Sequence, residues 1–215
     1  MSGVRRRRSF CGARERTVLI FIYVNAGTGL AAGFVIDGKV LHGAHCDAGE
    51  IGHMVVDYRS SRECVCGRRG CCELTASGIG IHKMVEERQG EAPAELLELG
   101  LNGRYPAAAV FRLAREGDDF CLSIAEEAAA VLSCTIMNLV RMSDPDMVVA
   151  GGGLMSDPWF FRRVEISWRS DHAPRIKRIP GIRLRGGIFR CNRCGGRRVP
   201  EGGIVGRKGT NKQHL

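Results

Sequence analysis

One histidine and three cysteines near the middle of the chain have the side-chain types and the spacing of metal ligands. His53 lies eleven residues before Cys64, and Cys66 and Cys71 follow in the pattern C-x-C-x4-C. One neutral imidazole and three thiolates form the tetrahedral ligand set that Zn²⁺ prefers. The sequence therefore predicts one zinc ion bound by these four side chains.

The ten cysteines of this 215-residue chain also allow disulfides, and a cluster of thiols can arise by chance. Residues 5–8 are four arginines without an apolar signal segment, so export to an oxidising compartment is not supported. Cys191 and Cys194 are spaced as half of a zinc ribbon, but no second half follows at ribbon spacing. We favour a metal site over disulfides for the central cluster.

Two glutamates flank the cluster and are candidates for a different kind of chemistry. Glu50 precedes His53 by three residues, and Glu73 follows the last cysteines directly. The four predicted ligands complete a zinc site without either glutamate. Both carboxylates are therefore expected to be free for other chemistry.

The segments before the cluster read as strands joined by tight turns. Residues 17–25 are rich in β-branched and aromatic side chains and predict an internal strand. Residues 26–33 are small and predict a turn that includes Gly27, Thr28 and Gly29. Residues 34–41 predict a hairpin around Asp37-Gly38, so the Gly-Thr-Gly turn is expected at one end of the sheet.

The segments after the cluster read as helices, followed by one more buried strand. Helices are predicted at residues 75–87 and 106–115, and a long helix is expected to begin at an Asp118 or Asp119 cap and to end at Asp144-Pro145. Residues 147–150 predict a strand that runs into Gly151, Gly152 and Gly153, with a helix from Pro158. A strand, glycines and a helix in this order let a ligand approach the backbone closely.

The net charge of +9 is unevenly distributed along the chain. Residues 1–16 carry +5 and residues 156–215 carry +11, whereas residues 17–155 carry −7. The basic ends contain no recognisable module that reads nucleic acid, so nucleic-acid binding is the minor alternative. We expect an unstructured start at 1–16, a folded region at 17–168, and a disordered or frameshifted segment at 169–215. No apolar run reaches transmembrane length, and a cytoplasmic location is expected.

Together the motifs resemble the ROK family of sugar kinases and sugar-responsive repressors. The resemblance covers roughly residues 18–164, and it is most specific where the glutamate–histidine segment at 48–53 combines with the cysteine cluster and Glu73. The other matching pieces are Gly27-Thr28-Gly29, Asp37-Gly38-Lys39, Asn138-Leu139, Asp144-Pro145 and Gly151-Gly152-Gly153.

This resemblance implies an α/β fold of the actin-like ATPase and hexokinase type, related to RNase H, with residues 17–168 as its C-terminal lobe. It implies a hexose between two lobes, and ATP with Mg²⁺ across the cleft. The implied sugar-binding residues are Glu50, His53 and Glu73, with His53 also on the zinc of a zinc-binding loop. The implied nucleotide-binding residues are Gly27, Thr28 and Gly29 at the phosphates, and Gly151, Gly152 and Gly153 at the nucleoside. A homodimer is a further candidate assembly.

The same resemblance indicates what the sequence lacks. Asp37 is the first aspartate, so none precedes Gly27, where the family carries its phosphate aspartate and its catalytic base. We therefore expect a fragment without the N-terminal lobe and without a catalytic residue. Its origin is either an ATP-dependent hexose kinase of the glucokinase type or a sugar-sensing repressor. An upstream helix-turn-helix would favour the repressor, and an upstream Asp-Gly-Thr motif would favour the kinase.

Overall fold

The computed structural model describes residues 20–100, 103–170 and 184–186. Over these residues the chain forms five strands and six α-helices. The strands are β1 Ile20–Ala26, β2 Leu30–Ile36, β3 Lys39–Val40, β4 Met147–Gly151 and β5 Leu184–Gly186. The helices are α1 Glu73–Ala76, α2 Gly78–Glu87, α3 Ala94–Leu99, α4 Ala107–Glu116, α5 Asp119–Ser143 and α6 Pro158–Ser170. Two short 3-10 helices lie at Ile51–His53 and Gln89–Glu91.

The strands form one mixed sheet in the order β3-β2-β1-β4-β5. β1 pairs antiparallel with β2 and parallel with β4, with Asn25 opposite Gly151. The carboxyl ends of β1 and β4 therefore meet at the same edge of the sheet. The two glycine runs follow these strand ends, so the topology brings them together.

The hairpin between β2 and β3 agrees with the sequence, whereas the turn before it is shorter than predicted. Asp37 and Gly38 both have positive φ, at 50° and 77°, which is the conformation of a two-residue hairpin turn. The small residues 30–33 were expected in a turn but belong to β2. They pair with β1, because sheet hydrogen bonding overrides their weak intrinsic strand preference.

Long helix α5 forms the centre of the apolar core. Its first turn is capped by Asp118, whose carboxylate accepts a 2.7 Å hydrogen bond from the backbone N–H of Cys121, and its last residue precedes Asp144, which has φ 43°. One face of β1 is buried at Ile22, Val24 and Ala26. The α5 residues that are buried in the core are Phe120, Cys121, Ile124, Ala125, Ala128, Ala129, Leu132, Ile136, Leu139 and Val140.

Among the described helices, α5 alone is long and apolar enough to cross a membrane by length and composition. However, 56% of its most apolar window is buried inside the protein. Its apolar face thus packs in the core, alongside α4 and α6.

Three other predicted boundaries differ from the structure. The helix expected at 75–87 is two helices, because Ser77 adopts an extended conformation with φ −124° and ψ 169°. The helix expected from Pro106 begins one residue later, with Pro106 as its cap. No regular element was expected after Arg169, yet β5 pairs in parallel with β4. Strand pairing is a long-range property that local composition does not reveal.

The predictions for 1–16, Cys191 and Cys194 lie outside the described residues.

Candidate functional site

The four predicted metal ligands lie together on one irregular loop. We call residues 53–71 the metal loop. His53 ends a 3-10 helix, and the segment that carries the cysteines folds back on itself through Gly67 and Gly70, which have φ of 80° and 73°. A Cβ atom on Gly70 would collide with the carbonyl oxygen of Asp57. Glycine is therefore required where the loop closes.

The donor atoms of His53, Cys64, Cys66 and Cys71 all lie within 4.8 Å of one another. The Sγ atoms of Cys66 and Cys71 are 3.5 Å apart, and Cys64 Sγ lies 3.4 Å from His53 Nδ1. Tetrahedral zinc separates two sulfurs by about 3.8 Å, and a sulfur from a nitrogen by about 3.6 Å. A disulfide would need about 2.05 Å. The donor set therefore fits a tetrahedral metal ion and not a Cys66–Cys71 bridge.

The pKa values of Cys66 and Cys71 are shifted in opposite directions. A backbone hydrogen bond from Arg68 lowers the pKa of Cys66. Burial, together with hydrogen bonds to Cys66 and Cys64, raises the pKa of Cys71 to about 12. Without a cation, thiolates packed this closely repel one another, so one keeps its proton. A divalent cation between them would stabilise all three as thiolates.

Cys72 adjoins the cluster and has a different role. It is fully buried, and its thiol donates to the carbonyl oxygens of Ile51 at 2.9 Å and Gly52 at 3.4 Å. Burial raises its pKa to about 11, so the thiol stays neutral and keeps its proton for these hydrogen bonds. Cys72 thereby holds the 3-10 helix that ends at His53.

Glu50 and His53 line one open hollow of about 520 Å³ beside the cluster. Asp47, Met54, Val55 and Arg68 complete its wall. Glu50 is exposed there, as the prediction of a free carboxylate requires. Arg68 was not foreseen as a wall residue, because its position between the cysteines gave no separate signal.

Glu73 does not line this hollow and is not free. Its Oε2 atom accepts a 2.8 Å hydrogen bond from the backbone N–H of Leu30. A Cβ atom would come within 2.7 Å of the same oxygen if placed on Gly29, and within 2.9 Å if placed on Gly52. The carboxylate thus fits between two glycines, and the prediction that it is unengaged is wrong for this oxygen.

The two glycine runs meet at a second hollow, of about 320 Å³. Gly27 and Thr28 line it from one side and Gly153 from the other; a Cβ atom on Gly27 would lie 3.7 Å from the Gly153 nitrogen. Gly152 has φ 96°, and a Cβ atom on it would collide with the Ala26 carbonyl oxygen. Gly27, Thr28 and Gly153, which the sequence analysis grouped as candidates for one ligand, therefore also lie close together in the structure.

Several wall residues of the second hollow were not predicted as site residues. They are Gly78, Arg104, Tyr105, Pro106, Ala107 and Leu154. The backbone N–H of Tyr105 donates to His82 Nδ1 at 3.3 Å, and the two rings lie 5.7 Å apart. This contact fixes the segment that carries Arg104. No local pattern in the sequence could have linked residue 104 to residue 27.

Residues 9–172 match the model of the ROK family. The chain is 36% identical over 135 residues to a glucokinase of Halalkalibacterium halodurans, covering 62% of this chain and 41% of that one. It is 30% identical over 139 residues to a xylose repressor of Caldicellulosiruptor bescii, covering 60% and 33%. The chain thus spans less than half the length of these curated relatives.

A solved structure gives the same result at the level of the fold. It is a ROK family glucokinase from Streptomyces griseus in complex with glucose and AMPPNP, and it superposes with a TM-score of 0.67 at 26% identity. The match covers 80% of this chain and 57% of that one. The α/β fold described above is therefore that of ROK hexokinases, within the actin-like ATPase superfamily. With three quarters of its length matched by the family model, this chain belongs to the ROK family.

Proposed function

We propose that this chain is the sugar- and nucleotide-binding lobe of an ATP-dependent hexose kinase of the glucokinase type. The observation that carries the proposal is the pair of hollows, one lined by Glu50 and His53 and the other by the two glycine runs. Glu73 links them, since it follows the metal loop and is hydrogen bonded to Leu30 beside the Gly-Thr-Gly turn.

The first hollow suits a sugar. Carboxylate oxygens of Glu50 and of the nearby Asp47 accept hydrogen bonds from hydroxyl groups, and His53 can share its imidazole between the hollow and the cluster. Glu73 lies outside this hollow, so we propose its second carboxylate oxygen as a sugar contact on the family resemblance alone. We also propose zinc as the ion held by His53, Cys64, Cys66 and Cys71. Zinc would fix the loop that carries the sugar contacts without taking part in the chemistry.

The second hollow suits the phosphates and the nucleoside of ATP. Backbone N–H groups of a glycine turn bind phosphate oxygens, and close backbone approach needs residues without side chains. Arg104 adds positive charge at the wall, which suits the phosphates of the ligand. In such an arrangement phosphoryl transfer depends on aligning the sugar hydroxyl with the terminal phosphate.

A sugar-sensing repressor is the second candidate, favoured by the 30% identity to a xylose repressor. Both candidates need the sugar hollow, so only the nucleotide separates them. Saturable binding of a nucleotide at the glycine turn supports the kinase. Sugar binding without any nucleotide binding supports the repressor.

The test is calorimetric titration of the 215-residue polypeptide with glucose, and with the nonhydrolysable nucleotide AMPPNP in the presence of Mg²⁺. Glu50→Gln should weaken glucose binding about tenfold, because a hydrogen bond to a charged group contributes about 1.5–3 kcal/mol. Glu98→Gln, an exposed glutamate of α3, is the matched control and should leave binding unchanged. Equal glucose affinity in the wild type and Glu50→Gln would refute the assigned sugar site.

We expect glucose affinity no tighter than about millimolar for this polypeptide, because an open hollow stays wet and each contact is weakened. We also expect no phosphorylation, since no aspartate precedes Asp37 to act as the base that the family resemblance implies. Sugar-dependent ATP turnover by the purified polypeptide would overturn this part of the proposal. A cytoplasmic location and a homodimer stay predictions, to be checked by cell fractionation and light scattering.

A further inference from the structure

We infer that the start of α2 is the positioning element of the glycine turn, which we define as Gly27, Thr28 and Gly29. The inference rests on the proposed function, because it assigns this turn to the nucleotide phosphates. It concerns Ser77, Gly78 and Ile79, which the sequence placed inside a single helix.

Two hydrogen bonds join α2 to the turn. The backbone N–H of Gly78 donates to the carbonyl oxygen of Gly27 at 2.8 Å, and the N–H of Ile79 donates to that of Thr28 at 3.1 Å. The first N–H groups of an α-helix have no partner within the helix. Here two of them hold the carbonyl groups of the turn.

Ser77 directs these donors at the turn. Its fully buried hydroxyl donates to the Glu73 carbonyl at 2.7 Å and accepts the N–H of Gly80 at 3.0 Å. The extended conformation of Ser77 ends α1, and its side chain caps α2. A continuous helix through this position would use the N–H groups of residues 78 and 79 internally, and the turn would lose both.

The contact between position 78 and the turn is also tight. A Cβ atom on Gly78 would lie 3.1 Å from the Gly27 carbonyl oxygen and 3.5 Å from the Thr28 Cα. A larger residue at position 78 would require the helix and the turn to shift apart by a few tenths of an ångström. This close approach is a physical reason for glycine at position 78, where the geometry of α2 by itself gives none.

The consequence is the direction in which the peptide groups of the turn point. α2 holds the carbonyl oxygens of Gly27 and Thr28, and Glu73 holds the N–H of Leu30. Within the described part of the chain, the N–H groups of Thr28 and Gly29 have no hydrogen-bond acceptor in the protein. Carbonyl oxygens repel phosphate and N–H groups attract it, so fixing the carbonyls leaves donors for the ligand.

The sharpest test compares Ile79→Pro with Ile79→Ala. Both remove a side chain that is 36% exposed, but only proline removes the N–H that binds Thr28. Proline is tolerated in the first turn of a helix, so α2 should persist. Losing one hydrogen bond should weaken AMPPNP binding about fivefold in Ile79→Pro relative to Ile79→Ala. Glucose affinity and metal content should be equal in the two variants, which a general loss of structure would not allow.

Amide spectra give a second reading that needs no ligand. The ¹⁵N–¹H signals of Thr28 and Gly29 should move in Ile79→Pro and stay in place in Ile79→Ala. If Ile79→Pro fails to fold, Gly78→Ala replaces it, with Gly90→Ala as control because a Cβ atom there meets nothing within 4 Å. Absence of AMPPNP binding by the wild type would refute the nucleotide assignment, and the spectra would then decide the positioning role alone. Unchanged turn signals, or equal AMPPNP affinity in both variants, would overturn the inference.

Discussion

The metal loop and the body formed by the sheet and α5 are held in place by different forces. In the metal loop large apolar side chains face solvent, with Tyr58 79% and Val65 92% exposed. In the body, side chains such as Leu132 and Phe160 are fully buried. The loop depends instead on positive-φ glycines, on hydrogen bonds and on four potential metal ligands.

This contrast shows how one folded unit can combine a stable scaffold with a loop that burial alone would not order. Apolar burial of the body contributes to global stability at about 25 cal/mol per Å². The metal loop buries too little apolar surface for this to fix its conformation. The two regions should therefore respond differently to metal removal and to core mutation.

Metal removal should give the largest effect. Zinc held by a cluster of this type has an apparent binding free energy of about 10–16 kcal/mol in small domains at neutral pH. We expect about one zinc per chain by elemental analysis, and loss of it in Cys66→Ser but not in Cys134→Ser, a variant of α5. Hydrogen exchange should then show loss of amide protection in the metal loop and retained protection in α5. Retained zinc in Cys66→Ser, or an equally protected loop without metal, would break the comparison.

A core substitution should destabilise the body and leave the metal loop unchanged. Leu132→Ala removes a fully buried side chain from α5 and should lower the free energy of unfolding by about 2–5 kcal/mol. Met142→Ala, on the same helix but 71% exposed, should change it by less than about 0.5 kcal/mol. Urea denaturation measures both, and the zinc content of folded Leu132→Ala should stay at the wild-type value. Loss of zinc in that variant would mean that the two regions are not separately held.

Arg62 sharpens the comparison, because it ties the metal loop to the body. Its guanidinium pairs with Glu87 of α2 at 2.8 Å and with Glu127 of α5 at 3.1 Å, and it donates to Thr75 at 3.2 Å. Both glutamates are more than 40% exposed. We therefore expect Arg62→Met to cost only about 1–2 kcal/mol, less than a buried pair would.

The informative measurement for Arg62→Met is how strongly metal removal from the loop changes the melting temperature of the body. In the wild type, chelation should lower the melting temperature of the body slightly through this link, and in Arg62→Met the two events should separate. Arg69→Met is the control, since its pair with Glu63 lies in the metal loop and is exposed on both sides. An equal effect of chelation on the body in both variants would show that Arg62 is not the link.

Asp157 should give the smallest effect, confined to the body. Its carboxylate caps α6 by accepting the N–H groups of Trp159 and Phe160, and it pairs with Arg115 at 2.7 Å. Burial alone would raise its pKa, but Arg115 and the two N–H groups outweigh burial and the pKa is lowered. Asp157→Ala should cost about 1 kcal/mol at neutral pH.

The pH dependence of that effect has a defined sign. A carboxyl group whose pKa is lower in the folded state stabilises above its unfolded pKa, about 3.9. That contribution is lost as the pH falls through the folded pKa. The difference in unfolding free energy between the wild type and Asp157→Ala should therefore shrink below about pH 4. A difference that grows on acidification would contradict the assigned charge state.

The features that the sequence predicted are those specified by neighbouring residues. His53 and the three cysteines, the Asp37-Gly38 turn and the Asp118 cap all depend on local spacing or on local hydrogen bonds. The missed features depend on contacts between distant segments. The break at Ser77 is the exception, because serine is a favourable N-cap and Gly78 and Gly80 disfavour a helix interior. Glu73 binds an amide 43 positions away. Arg104 lines the same hollow as Gly27 and Thr28 although these segments are far apart in the sequence.

The pairing of β1 with β4 has a consequence for folding during synthesis. Ile20 and Asp146 are hydrogen bonded although 126 residues separate them, so one edge of β1 stays without its partner while the intervening chain is made. At about 5–20 residues per second this interval lasts roughly 6–25 s. During it the apolar edge of the β1–β2 hairpin is open to pairing with other chains. During refolding from denaturant the same edge is open until β4 pairs with β1. We therefore expect the refolding yield to fall as the protein concentration rises, with the aggregated fraction measured by light scattering.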